Sequence, residues 1–265
     1  MTKSTNQSSE QSLTSQPQQT CCPIVELRQY TLHPGKRDVL IDLFDREFIE
    51  SQEAVGISVI GQFRDLDDPN RFVWLRGFRD MPSRAQALTD FYTGPVWKAH
   101  REAANATMVD SDNVLLLRRV HVSSGFSLGS SDRPPPGTSE VSKGLVVATV
   151  YYSDTSRGTE FVDFFEQALR PLLTANGASI LAYFVTDNSA NNFPGLPVRE
   201  DAVFVWFSRF RDGDAYEDYV AALSRSRRWN GDVSEELARR LKVAPEVLKL
   251  SPTARSHLRY RWCDI

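Results

Sequence analysis

Cysteine is nearly absent: Cys21, Cys22 and Cys263 are the only three in 265 residues. An odd, sparse set argues against the disulfide framework of a small secreted protein. The adjacent pair Cys21-Cys22 has no C-x-x-C partner with which to complete a metal site, so the thiols read as structural or incidental. Histidine is also scarce. His33, His100, His121 and His257 fall in four separate segments, with no H-E-x-x-H or other paired spacing, and neither a G-x-S-x-G elbow nor a phosphate-binding glycine loop occurs. No metal and no other cofactor is expected. Long apolar runs are missing as well: none approaches the roughly 20 residues of a membrane span, so no membrane partner is expected. Formal net charge is −3, which excludes a global attraction to nucleic acid.

What is present is an ordinary globular composition, 41 % hydrophobic and 25 % charged, after a first stretch that has little to bury. Residues 1–23 are rich in Ser, Gln and Thr and nearly devoid of large apolar side chains, and read as disordered. That stretch has neither an apolar signal-peptide core nor the arginines of a mitochondrial presequence, so the expected compartment is the cytoplasm.

From Ile24 the periodicities are clear. A strand over 24–32 ends at His33-Pro34-Gly35, and a helix follows with apolar Val39, Leu40, Leu43, Phe44 and Phe48 at helical spacing. Strands over 57–64 and 71–78 flank the turn Asp67-Asp68-Pro69-Asn70 as a hairpin. Helical stretches on either side of Gly94-Pro95 precede a last strand at 113–119. The order strand, helix, strand, strand, helix, strand is the split βαβ, ferredoxin-like pattern. Residues 121–143, with the Pro134–Pro136 run, read as a Ser/Pro/Gly linker. The pattern then restarts, and V-W-x-x-x-F-R-D, spelled at 73–80, recurs at 205–212. Early positions of the two halves differ by about 121 and later ones by about 132, so one insertion near 188–201 reconciles them. The reading is a tandem duplication: an α+β unit at 24–120, the linker, a diverged unit at 144–252 and a basic, edge-wrapping tail at 253–265.

A four-stranded sheet with helices on one face leaves its other face bare, and two such sheets face to face make an eight-stranded barrel wide enough for a small ligand. Strand alternation puts Val25, Leu27, Val73, Leu75 and Gly77 on one face and Glu26, Arg28, Tyr30, Trp74 and Arg76 on the other. With the aliphatic face assigned to the helices, the polar set points into the barrel, where its charges must pair with one another or with a ligand. The second half carries Val147, Thr149, Tyr151, Trp206 and Ser208 at those places. One polar and one apolar half suit a ligand with an anionic or carbonyl end and a hydrophobic body; a self-satisfied internal salt-bridge cluster explains the same charges.

V-E-L-R-Q-Y-T-L-H-P-G-K, V-W-L-R-G-F and F-Y-T-G-P-V-W-K-A-H-R-E-A-A-N-A-T-M resemble the NIPSNAP family, over residues 24–119. The resemblance implies the dimeric α+β barrel superfamily, which includes cofactor-free monooxygenases, haem enzymes and isomerases or lyases. The second unit departs from the motif: Trp97-Lys98-Ala99-His100-Arg101 becomes Trp229-Asn230-Gly231-Asp232-Val233, which locates the expected site in the first unit. There Tyr30 or His100 would move a proton, Arg28 and Arg76 would hold an anion or developing oxyanion, and Glu26, Trp74, Tyr92 and Trp97 would complete the pocket. The expected function is binding of a small hydrophobic carbonyl, phenolic or carboxylate compound, with cofactor-independent isomerase, cyclase or monooxygenase chemistry in view. A protein-interaction scaffold is the alternative and a haem protein with His100 as axial ligand the third. A homodimer of the tandem chain is left open.

Overall fold

The computed structural model describes residues 20–128, 133–140, 143–153 and 158–259. Most of the segment expected to be disordered, residues 1–19, lies outside these, as do Cys263 and the rest of 260–265.

Each half lays down four strands. The first has β1 (Ile24–Leu32), β2 (Ser58–Asp65), β3 (Arg71–Phe78) and β4 (Met108–Arg119); the second has β5 (Leu145–Tyr152), β6 (Ser179–Thr186), β7 (Val203–Phe210) and β8 (Glu246–Pro252). The sheet order β1-β3-β2-β8-β5-β7-β6-β4 closes on itself as a barrel, which removes every sheet edge. Within each half the order is the same, β4-β1-β3-β2 and β8-β5-β7-β6. The seams between halves are short: β2 meets β8 from Phe63↔Pro252 to Asp65↔Leu250, and β4 meets β6 from Leu117↔Thr186 to Arg119↔Phe184.

The helices lie outside the barrel. In the first half these are α1 (Arg37–Leu43), α2 (Ile49–Glu53), α3 (Met81–Thr93) and α4 (Pro95–Asn105); in the second, α5 (Gly158–Phe164), α6 (Arg170–Ala175), α7 (Gly213–Arg225) and α8 (Ser234–Arg240). A π-helical turn, Phe44–Phe48, joins α1 to α2, and another, Phe165–Leu169, joins α5 to α6. Bulges interrupt β2 between Val59 and Gly61 and β6 between Ile180 and Ala182. Both irregularities recur at the spacing of about 121 expected of a duplication. The repeated R-D has a local cause. Asp80 caps α3 by accepting from the Ser83 amide at 2.7 Å, and Asp212 caps α7 by accepting from the Ala215 amide at 2.9 Å.

The strand faces are the reverse of the expectation. The barrel interior is the aliphatic face: Val25, Leu27, Val73 and Leu75 meet Val146, Ala148, Val205 and Phe207 in one cluster drawn from all eight strands. Phe126 of the expected linker and Leu258 of the tail join that cluster, as does Cys22, which is disulfide-bonded to its neighbour Cys21. Tyr30 and Trp74 instead lie beneath Leu40, Phe44, Phe48 and Leu88, between sheet and helices. The reason is that the helix side supplies what the polar set needs: Arg84 of α3 reaches Glu26, and the helices offer an aromatic underside to Trp74, with Phe44 at 4.8 Å between ring centroids.

Candidate functional site

Two helix-side layers are therefore the candidate sites, one per half, and the barrel interior is packed core. In the first half β1 and β3 are antiparallel neighbours whose register sets Glu26 opposite Arg76, Arg28 opposite Trp74 and Tyr30 opposite Phe72. Glu26 is wholly buried. Its Oε2 accepts from Arg28 Nη1 at 2.6 Å and from Arg76 Nε at 2.7 Å. Its Oε1 accepts from Arg84 Nε, on α3, at 2.6 Å. Arg28 Nε donates to the Tyr30 hydroxyl at 2.9 Å, and both Arg28 and Arg76 lie over the Trp74 ring, at 5.6 and 5.1 Å from its centre.

Burial alone would raise the Glu26 carboxyl, but Arg76, Arg28 and Arg84 override it and hold the group far below the usual carboxylate range. Burial likewise opposes the Arg28 cation, and the hydrogen bond to Tyr30 and the charge of Glu26 favour it. Tyr30 is pushed up by burial against the pull of Arg28, so it is a phenol at neutral pH and a donor rather than an oxyanion.

The other expected site residues divide. Tyr92 and Trp97 pack on each other at 4.8 Å, and Tyr92 adjoins Arg28 and Tyr30 electrostatically. His100 stands apart: its ring meets Phe48, its Nε2 lies 3.5 Å from Glu47, and it is one-third exposed. Among the described residues no hydrogen bond or ion pair joins His100 to the Glu26 cluster. Two contributions were not anticipated, Arg84 and the 188–201 insertion, whose Asn191 and Asn192 carboxamide oxygens accept from Arg84 Nη1 at 3.1 and 2.7 Å.

In the second half the register is the same and the contents differ. Val147 stands opposite Ser208, Thr149 opposite Trp206 and Tyr151 opposite Phe204. Where the first half has three long cationic side chains there is a cavity of about 330 Å³, partly open to solvent, between the sheet and α7 and α8. Tyr151, Trp206, Ser208, Trp229, Leu237 and Val247 are among its walls, and no wall residue is Asp, Glu, Lys, Arg or His. Ser208 Oγ is buried and makes no hydrogen bond. Burial pushes the Tyr151 phenol up to about 12, with the nearby Trp206 opposing. Trp229, from the segment that replaces the first unit's W-K-A-H-R, thus lines a cavity in the second half, away from the expected site. A larger cavity of about 480 Å³ lies beside Ser153 and Gly158, with Arg118, Asp163 and Asn188 in its walls; those first two residues flank 154–157, outside the described set.

Residues 25–124 match the NIPSNAP family profile. The first unit is a NIPSNAP domain. No curated protein matches the chain. Among solved structures, a candidate monooxygenase from Fusobacterium nucleatum aligns over 91 % of this chain and 98 % of its own at 12 % identity, with a TM-score of 0.55. One from Lactobacillus acidophilus aligns over 87 % and 94 % at 12 % identity and a TM-score of 0.53. An anthrone oxidase-like protein aligns over 90 % and 96 % at 14 % identity and a TM-score of 0.55. At such identities the likeness is one of fold, and it runs through the NIPSNAP domain and the second half together. Among the described residues no helix is long and apolar enough to cross a membrane, and no three His, Cys, Asp or Glu side chains gather as a metal-binding group.

Proposed function

We propose that the protein binds a small, uncharged hydrophobic compound bearing a carbonyl or phenolic oxygen, in the helix-side pocket of its second unit (144–252), while the NIPSNAP unit (24–120) supplies the other half of the barrel. The observation that carries this is the cavity of about 330 Å³ at the register positions which the NIPSNAP unit fills with Glu26, Arg28 and Arg76. Its size is at the lower end of small-molecule pockets, and its pattern is theirs: apolar and aromatic walls with a few polar groups. Ser208 Oγ and the Tyr151 hydroxyl are neutral groups, each able to hydrogen-bond a ligand oxygen, and a wall without ionised side chains favours an uncharged ligand.

This revises the expected residues. Tyr30 and His100 are not joined to this pocket, and the catalytic part of the reading passes to Tyr151 as hydrogen-bond donor. The fold relatives described as monooxygenases make cofactor-independent oxygen uptake on a polycyclic phenol or ketone the activity to assay first.

The test is a titration with 1-naphthol, read by quenching of Trp206 and Trp229, beside native mass spectrometry of freshly purified protein. Saturable binding is expected, with affinity at least tenfold weaker in Val220→Trp. Val220 is a pocket-wall residue on α7 that is 44 % exposed, so the larger ring obstructs the mouth without entering the core. Binding that is unchanged by Val220→Trp, or absent in the parent protein, overturns the proposal and leaves the interaction scaffold.

A further inference from the structure

The Glu26 cluster does not balance. Three guanidinium groups, those of Arg28, Arg76 and Arg84, share one carboxylate, and all four side chains are at most 1 % exposed. Tyr30 is neutral and contributes no countercharge. Glu26 accepts from one nitrogen of each arginine. Arg76 Nη1 and Nη2 and Arg84 Nη2 are then buried donors without an acceptor among the described residues. The faces of Trp74 and Phe78, at 5.1 and 5.7 Å from the Arg76 guanidinium carbon, recover part of the cost through cation–π attraction. That attraction offsets only a part of the cost of desolvating each ion.

The cover over this cluster is the segment that distinguishes the two halves. The first hairpin turns within residues 66–70; the second carries the 188–201 insertion, which reaches back over the NIPSNAP unit. Asn192 Nδ2 donates to the Met81 carbonyl at 2.6 Å, and the Phe193 ring stacks on Tyr92 at 5.8 Å. Leu196 and Val198 pack against the helix-side core of the first unit. The two amide oxygens on Arg84 Nη1 are therefore neutral acceptors delivered to a cation whose remaining Nη2 is unpartnered.

We infer that this cluster is a buried oxyanion site, with a carboxylate as its ligand and the Asn191-Asn192 segment as its cover. Arg76 and Arg84 each hold Glu26 through Nε and keep donors free at the other end. The Nη1–Nη2 edge of Arg76 offers two parallel N–H groups, the fork that matches both oxygens of a carboxylate. Asn191 and Asn192 occupy Arg84 with uncharged oxygens, which an anion displaces because charge-assisted hydrogen bonds are stronger than neutral ones. The anion neutralises one of the two surplus cations. This site is separate from the uncharged pocket of the second unit.

The experiment is thermal unfolding of the full chain at pH 7 in acetate, inorganic phosphate and chloride at matched ionic strength, with equilibrium dialysis of radiolabelled acetate as the direct reading. A ligand that binds only the native state raises the midpoint saturably. Acetate is expected to do so at lower concentration than phosphate, with chloride without a saturable effect. Arg84→Gln is expected to lose the acetate response and the dialysis signal, and the double substitution Asn191→Ala/Asn192→Ala to lower the half-saturating acetate concentration about tenfold. The Asn variant leaves all four charged side chains in place, so it decides the matter even where Arg84→Gln fails to fold. Equal responses to acetate and chloride, retention of acetate binding in folded Arg84→Gln, or an unchanged affinity in the Asn variant overturns the site. Tighter binding of phosphate than of acetate overturns the carboxylate assignment.

Discussion

Replacing Glu26 by Gln removes the one carboxylate that three buried arginines share while keeping size and shape. Deleting one partner of a buried ion pair typically costs about 3–5 kcal/mol, because the surviving charge is left without compensation. In a chain of this size each kcal/mol moves the melting midpoint by roughly 2–4 °C, so the midpoint at pH 7 should fall by about 6–20 °C. The pH dependence identifies the cause. The Glu26 carboxyl sits far below its usual value in the folded protein, through Arg76, Arg28 and Arg84 acting against burial. Its contribution is therefore complete above the unfolded-state value, near 4.3, and is lost as pH falls towards the folded-state value. Below about pH 4 the parent protein should lose stability from this group with a slope approaching ~1.4 kcal/mol per pH unit, and Glu26→Gln should not. Asp45 works the other way. Burial raises it to about 6, so its contribution grows as pH falls through that value. The difference between the two proteins isolates Glu26, since Asp45 is common to both. Urea unfolding at half-unit steps from pH 7 to 3 measures it. A difference below about 1 kcal/mol at pH 7, or one that stays constant as the pH falls, would refute the claim that these arginines depend on this carboxylate.

Three further outcomes are expected. Phe207→Ala empties the barrel interior between Phe126 and Phe184 and should cost about 3–5 kcal/mol in urea unfolding. Gly77→Ala puts a methyl group into the Cys22 side chain and should destabilise by about 1–3 kcal/mol, with cleavage by protease near residue 20 as a second reading. Phe193→Ala removes the ring stacked on Tyr92 and should speed proteolysis within 188–201 while lowering global stability by no more than about 1.5 kcal/mol.

The strands were legible because their ends are marked. His33-Pro34-Gly35 stops β1 and Asp67-Asp68-Pro69-Asn70 turns β2 into β3. The start of β4 was not legible: Asp110, Ser111, Asp112 and Asn113 pair with or lie beside the end of β1 in exposed or half-buried positions and carry no apolar alternation. The direction in which β1 and β3 face was misread for a physical reason. Both of their faces are buried, and alternation sorts residues into two faces without saying which covering is a sheet and which is helices. Arg84 had a signal. It stands with Ala87, Leu88 and Phe91 at helical spacing, all buried, and an arginine on the apolar stripe of a helix requires a partner inside. Nothing in the composition of 188–201 foretold that its asparagines would reach that arginine, because the contact joins residues more than one hundred positions apart.

The two halves explain each other. In a closed barrel of this order each hairpin projects across a seam towards the other half. The long second hairpin covers the Glu26 cluster through Asn191, Asn192 and Phe193. The short first one reaches β8 through the Leu66 amide, which donates to the Lys249 carbonyl at 2.9 Å, and through Asp67, whose carboxylate holds Lys249 at 2.7 Å and acts on Tyr216, a wall residue of the second pocket, through its charge. Loop length and pocket content therefore differ together between the halves. The unit with buried charges lies under a cover that excludes water from them, which strengthens every charge interaction beneath it. The unit with Val147, Thr149 and Ser208 faces only the short hairpin of the first unit, and its cavity is partly open. An apolar cavity needs no such cover, since an uncharged ligand is itself what displaces the water. Reversing one change without the other should then do harm. Shortening 188–201 to the length of the first hairpin would expose surplus guanidinium charge to water. Transplanting arginine to Ser208 would bury a cation beneath helices that bring it no carboxylate.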